Sequence, residues 1–135
     1  MVAGYTCFND GSIRDWQRHT TQFTPGKNFH HSGAFGPYMI TPDEVGDVTT
    51  KELITRLNGE VMQHAPINDL LFDIPTLINY CSTFTQLEPG DAIVTGTTGG
   101  VGYARTPPVW MKPGDTIEIE VTGVGVLTNT IVDEK

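Results

Sequence analysis

Basic side chains are scarce in this 135-residue sequence: eight Lys and Arg face sixteen Asp and Glu, for a formal charge of −8 and an isoelectric point near 4.7. Such a surface repels a phosphate backbone, so no nucleic-acid partner is expected. Cysteine is scarce too. Cys7 and Cys81 form neither a disulfide framework nor a CxxC metal pair, and both are expected to be buried, reduced thiols of a cytoplasmic protein. No apolar run approaches the roughly 18 residues of a membrane helix, and no charged-then-apolar leader opens the chain, so neither a membrane partner nor secretion is expected. An anionic ligand would need a local positive site. The candidates are few: Arg14, Arg18 and Lys27 lie close in sequence, and Arg105 and Lys112 come much later.

What the sequence does have is turn-forming residues, 15 glycines and nine prolines, which point to short strands and a mixed, β-rich fold in a single domain over residues 1–135. A strand is expected at Gly4–Phe8 and another at Tyr38–Thr41, ended by Pro42, with a loop from His30 to Pro37 between them. Asn58-Gly59 between two apolar segments is a strong hairpin signal, because a type I′ turn needs positive φ at both central positions. Pro75 suits the first turn of a helix over Ile74–Phe84, in which Leu77, Ile78, Cys81 and Phe84 predict a core-facing stripe. Strands are expected at Ala92–Thr95, at Thr116–Val121 and near Leu127–Val132. Turns at Glu88-Pro89-Gly90-Asp91 and Pro113-Gly114-Asp115 precede the first two.

The chemistry concentrates in Asn9-Asp10-Gly11-Ser12-Ile13-Arg14-Asp15-Trp16-Gln17. Ser12 and Asp15 have capping-box spacing, which predicts a helix from Ile13 to about His19 with Asp10 just outside it. Arg14 and Gln17 share a face of that helix start, where free N–H groups already favour an anion. A cation could sit at Asp10 and a carboxylate at Arg14. Equally, Asp10 and Arg14 could pair with each other at i, i+4 and only hold the helix start.

Other motifs carry less. The loop Thr95–Gly102 lacks the Gly-Lys-Ser/Thr ending of a phosphate loop, but its glycines permit close approach to a small ligand, and Thr95 could donate to a carboxylate; a plain turn is the alternative. Glu118 and Glu120 share a strand face and could bind Mg²⁺. An ordinary half-buried strand is the better reading, because Ile117, Ile119 and Val121 supply the opposite apolar face. His19, His30, His31 and His64 lack zinc-ligand spacing. Trp16 and Trp110 are expected to be packing residues.

Seven segments in order, namely Asn9 to Gln17, Gly26-Lys27-Asn28-Phe29, Phe35-Gly36-Pro37, Leu57 to Val61, Leu87 to Asp91, Thr95-Gly96-Thr97 and Lys112 to Asp115, resemble the fumarylacetoacetate hydrolase family. The resemblance covers essentially the whole chain. It implies an α+β, mainly β, mixed β-roll, incomplete at its N-terminus, that forms a homodimer. It also implies Mg²⁺, with Mn²⁺ or Ca²⁺ as alternatives, and a small anionic 2-oxo acid such as an acylpyruvate, whose carbon–carbon bond is hydrolysed through a metal-stabilised enolate. Sister members decarboxylate or isomerise related 2-oxo acids. By motif position Asp10 matches a metal ligand, Lys27 and Gln17 match residues at the developing charge, and Arg14, Gln17, Lys27 and Thr95 match substrate contacts.

Two features depart from the family pattern. The Glu-x-Glu ligands and the water-activating His–Glu pair would lie upstream of Met1, and His30 stands where many relatives carry Asp. The chain is therefore expected to be the C-terminal half to two-thirds of such an enzyme, to bind metal weakly and to be inactive alone. The alternative is a non-catalytic remnant serving as an oligomerisation module. Either way an exposed apolar seam is expected.

Overall fold

The computed structural model describes residues 1–133. Its strands are β1 (Tyr5–Asp10), β2 (Gly33–Ile40), β3 (Glu52–Leu57), β4 (Glu60–Pro66), β5 (Thr116–Val121) and β6 (Gly125–Thr130); its helices are α1 (Arg14–Gln17), α2 (Pro42–Val45) and α3 (Ile74–Ser82). This is the mainly β, α+β composition expected from the sequence.

Alternation organises the larger sheet. In β5, Ile117, Ile119 and Val121 are buried while Thr116, Glu118 and Glu120 face the other way, the period of two that a pleated strand imposes. The sheet order is β4-β3-β5-β6, antiparallel throughout. Asn58 and Gly59 make the β3–β4 turn at φ 52° and 82°, as the hairpin signal requires. Asn58 also stitches the turn to β5. Its Nδ2 donates to Asp115 Oδ1 at 2.9 Å, and its Oδ1 accepts from the Thr116 N–H at 2.9 Å.

β1 and β2 form a separate antiparallel pair that packs on β5 and β6. Cys7 seals this junction. Its thiol donates to the Gly125 carbonyl at 3.4 Å, and burial pushes its pKa up. The core they share is Cys7, Val45, Ile117, Ile119, Val121, Val124 and Leu127, each full-sized aliphatic burial contributing about 1.5–3 kcal/mol.

Several local expectations are corrected. α1 has four residues, does not reach His19, and is capped by Ile13 without a side-chain bond, so the Ser12/Asp15 box does not form. The box forms instead at α2, where Thr41 and Glu44 satisfy each other's backbone N–H groups. β2 begins at Gly33, inside the expected loop, because it is paired residue by residue with β1. Ala92–Thr95 is not a strand: among the described strands none lies beside it to complete a ladder. α3 forms close to its expected span, with Asp73 as N-cap accepting from the Thr76 N–H at 2.8 Å. It buries no residue fully, however. Phe84 and Tyr80 are 69% and 67% exposed and Cys81 is only half-buried, since no described element covers that side of α3. Leu71, Phe72, Val94 and Trp110 are exposed as well, so large apolar side chains stand uncovered on several segments. No helix among the described residues is long and apolar enough to cross a membrane.

Candidate functional site

The end of β1 and the short helix after it build one wall of a cavity of about 1450 Å³. Asp10, Arg14, Gln17 and Lys27 line that wall, and Thr95 and Tyr103 line it from the glycine-rich side. All five residues singled out in the sequence therefore open onto one space, and most of the remaining lining is apolar.

The carboxamide of Gln17 anchors the wall. Gln17 is 6% exposed, and its Oε1 accepts from Arg14 Nη1, so the i, i+3 relation predicted for the pair is realised as a hydrogen bond. Gly26 lets this happen. A Cβ there would stand 2.6 Å from Gln17 Cα, so only glycine allows the turn at 24–26 to press against α1, where the Gly26 carbonyl accepts from the Ile13 N–H at 2.9 Å. That turn delivers Lys27 to Asp10.

Asp10 does not pair with Arg14. Its Oδ2 accepts from Lys27 Nζ at 2.5 Å, and the same ammonium donates to Ser12 Oγ at 2.8 Å. Ser12, taken from sequence as a helix cap, is thus a partner of Lys27. Its hydroxyl proton goes to the Asp10 carbonyl at 3.1 Å. The Arg14 Nε is buried without a partner, leaving a donor available at the site.

The glycine-rich loop is held by two side chains, of which Gln63 gives no signal in the sequence. Gln63 of β4 donates from Nε2 to Thr97 Oγ1 at 2.9 Å and to the Thr98 carbonyl at 2.8 Å. Arg105, one of the candidate cations, donates to the Met62 carbonyl at 2.6 Å and the Gly100 carbonyl at 3.1 Å, so its charge serves the loop. Thr95 is exposed and lies at the cavity edge. Glu120 is held by Arg56 at 2.6 Å across the sheet, which removes the Glu118/Glu120 pair as a cation site.

A hard divalent cation seeks about six oxygens. The polar wall offers it the Asp10 carboxylate, already matched by an ammonium, and among the described residues no three His, Cys, Asp or Glu side chains converge on a common point. These residues fit one position of a coordination shell and do not make a metal centre by themselves.

A family model for the C-terminal domain of fumarylacetoacetate hydrolase matches residues 1–132. The chain is 43% identical to a mitochondrial oxaloacetate tautomerase, FAHD2A of Bos taurus, over 97% of its own length and 42% of that protein. It is similar in structure to fumarylacetoacetate hydrolase from Exiguobacterium antarcticum, with a TM-score of 0.93 and 37% identity over 98% of this chain and 48% of that one. It is similar as well to maleylpyruvate hydrolase from Sphingobium sp. SYK-6 in complex with manganese(II) and pyruvate: TM-score 0.82, 33% identity, 98% of this chain and 45% of that one. The chain thus spans less than half the length of these relatives.

Proposed function

The chain belongs to the fumarylacetoacetate hydrolase family, and from that premise we propose that it carries the enolate-stabilising half of a site for a 2-oxo acid, used for keto–enol tautomerisation of an oxaloacetate-like substrate. The observation that carries this reading is the convergence of Arg14, Gln17 and Lys27 on one cavity wall in a chain of net charge −8. Lys27 is matched there by Asp10, whereas Arg14 keeps a buried Nε without an acceptor, and removing a proton beside a 2-oxo group puts negative charge on its oxygen.

In this reading Arg14 and Thr95 hold the substrate carboxylate, and Lys27, steered by Asp10 and Ser12, faces the oxygen on which charge grows. Gln17 fixes Arg14 and presents its amide to the same space. A divalent cation held partly by Asp10, Mg²⁺ or Mn²⁺ by its preference for oxygen ligands, would add Lewis-acid polarisation of the oxo group. A homodimer and a reducing, cytoplasmic setting for the free thiols belong to the same proposal.

Tautomerisation is favoured over other outcomes by the 43% identity to an oxaloacetate tautomerase. A second reading, hydrolysis of a carbon–carbon bond in an acylpyruvate, draws on the likeness to maleylpyruvate hydrolase and uses the same enolate. The shared step is directly measurable. Exchange of the C3 protons of pyruvate with D₂O, followed by NMR with protein and Mn²⁺, should run well above the buffer rate and be lost in Lys27→Met. Exchange that Lys27→Met leaves intact would reject the role given to Lys27.

A further inference from the structure

Two arginines share one aromatic ring. The guanidinium carbon of Arg18 lies 4.5 Å from the ring centre of Tyr103, and that of Arg14 lies 4.8 Å from the same centre. Two like charges brought this close repel each other, and the negative face of the ring offsets part of that repulsion while fixing where each side chain stands. The ring itself is held. Tyr103 sits in a short 3₁₀ turn, Gly102–Ala104, closed by the Arg105 and Val109 N–H groups on the Gly102 carbonyl at 3.2 and 3.0 Å.

The partners of the two arginines differ. Arg14 is bound to Gln17, and its buried Nε has no acceptor. Arg18 stands one turn further along, exposed, and among the described residues it forms no ion pair with a carboxylate. Acidic residues outnumber basic ones two to one in this chain, so a guanidinium with no carboxylate, stacked on the same ring as a second guanidinium, is unused positive charge beside an aromatic side chain that lines the cavity.

We propose that Arg18, braced on Tyr103, binds the distal carboxylate of a short 2-oxo diacid while Arg14 takes the carboxylate next to the oxo group. The inference rests on the 2-oxo acid reading above and deepens it by naming the side chain that reads the second carboxylate. Each guanidinium stands against the same ring, 4.8 and 4.5 Å from its centre, and in this assignment one small dianion spans the two. A monoacid leaves Arg18 unmatched, whereas a diacid satisfies both with charge-assisted hydrogen bonds.

Oxaloacetate and 2-oxobutyrate share a four-carbon skeleton and differ in that second carboxylate. Titrating each, freshly dissolved, into the protein with Mg²⁺ and following the fluorescence of Trp16 and Trp110 should show oxaloacetate binding about tenfold more tightly. Arg18→Gln should bring that ratio to about one through loss of oxaloacetate affinity. Tyr103→Phe should keep the ratio, because the ring face remains, and Tyr103→Leu should lower it. A ratio unmoved in Arg18→Gln, or an equal loss for both acids, overturns the assignment while leaving the 2-oxo acid reading in place. Failure of both acids to bind the unaltered protein overturns that reading and the assignment with it.

Discussion

Lys27 reaches back across the site to Asp10, its Nζ 2.5 Å from one carboxylate oxygen and 2.8 Å from the Ser12 hydroxyl. The carboxylate placed to meet a cation is therefore already meeting one. An incoming divalent ion has to share Asp10 with the ammonium or push it toward the substrate, so metal and Lys27 compete. For a partly exposed pair the competition is worth up to about 1 kcal/mol. Calorimetric titration of Mn²⁺ should show affinity rising in Lys27→Met by up to about fivefold, and binding vanishing in Asp10→Asn. Unchanged affinity in both variants would place any bound metal away from Asp10.

Gly26 tests whether the wall is built by close approach. A methyl there meets Gln17 Cα and Cβ at 2.6 Å and its backbone nitrogen at 2.7 Å, atoms that cannot swing aside. Gly26→Ala should cost about 1–3 kcal/mol, read from the urea midpoint, because overpacking forces the backbone to shift. Since the shift moves Gln17 and with it Arg14, binding of pyruvate should weaken in the same variant. Full stability with full binding would show that the contact is slack.

Where structure follows from neighbours in sequence, it could be read in advance. Asn58-Gly59 imposes its own turn, the alternation of Ile117, Ile119 and Val121 sets the face of β5, and Asp73-Ile74-Pro75 starts α3. Ser12 shows the limit. Its spacing to Asp15 matches a capping box as well as Thr41 and Glu44 do, yet its hydroxyl is taken by Lys27 from a later turn, and only the second box forms. The same competition separates Asp10 from Arg14. Ala92–Thr95 has strand composition, but a strand needs a partner, which composition does not report. Asp10, Arg14 and Gln17 stand in one local motif, and Lys27 and Thr95 in two further segments, whereas Tyr103 and Gln63 reach the cavity through contacts between distant segments and leave no local signal.

Four carboxylates should set the acid limit of stability. Asp73 is held by the side chain and N–H of Thr76, Asp47 by the hydroxyl and N–H of Thr49, Asp115 by the Asn58 amide and the Lys112 N–H, and Asp43 by the Thr41 side chain; these bonds hold each carboxyl below its ordinary value of 3.8. Above that pH the groups are ionised in folded and unfolded chains alike, and the bonds contribute in full. As the pH falls through 3.8 toward the lower folded values, the unfolded chain takes up protons first and stability drains away. The urea midpoint should accordingly decline below about pH 4 and be insensitive to these groups above it. Asp73→Asn, which keeps an N-cap acceptor but does not titrate, should shallow the decline. An identical acid profile in that variant would remove Asp73 from the account.

Gln63 gives a test in which the affected backbone lies away from the substituted side chain. Its amide is the described side-chain link from β4 to Thr97 and Thr98, and Gly96 alone separates these residues from Thr95. Gln63→Leu keeps the side-chain volume and deletes both bonds, so the loop loses its tether while β4 keeps its ladder with β3. A hydrogen bond of this kind contributes about 1 kcal/mol net, and part of it is spent in ordering the loop, so pyruvate affinity should fall about three- to tenfold. Amide exchange should quicken over residues 95–100 and not along β3. If exchange quickens across both, Gln63 is acting on the sheet as a whole; if the loop loosens while affinity holds, Thr95 does not contact the substrate carboxylate.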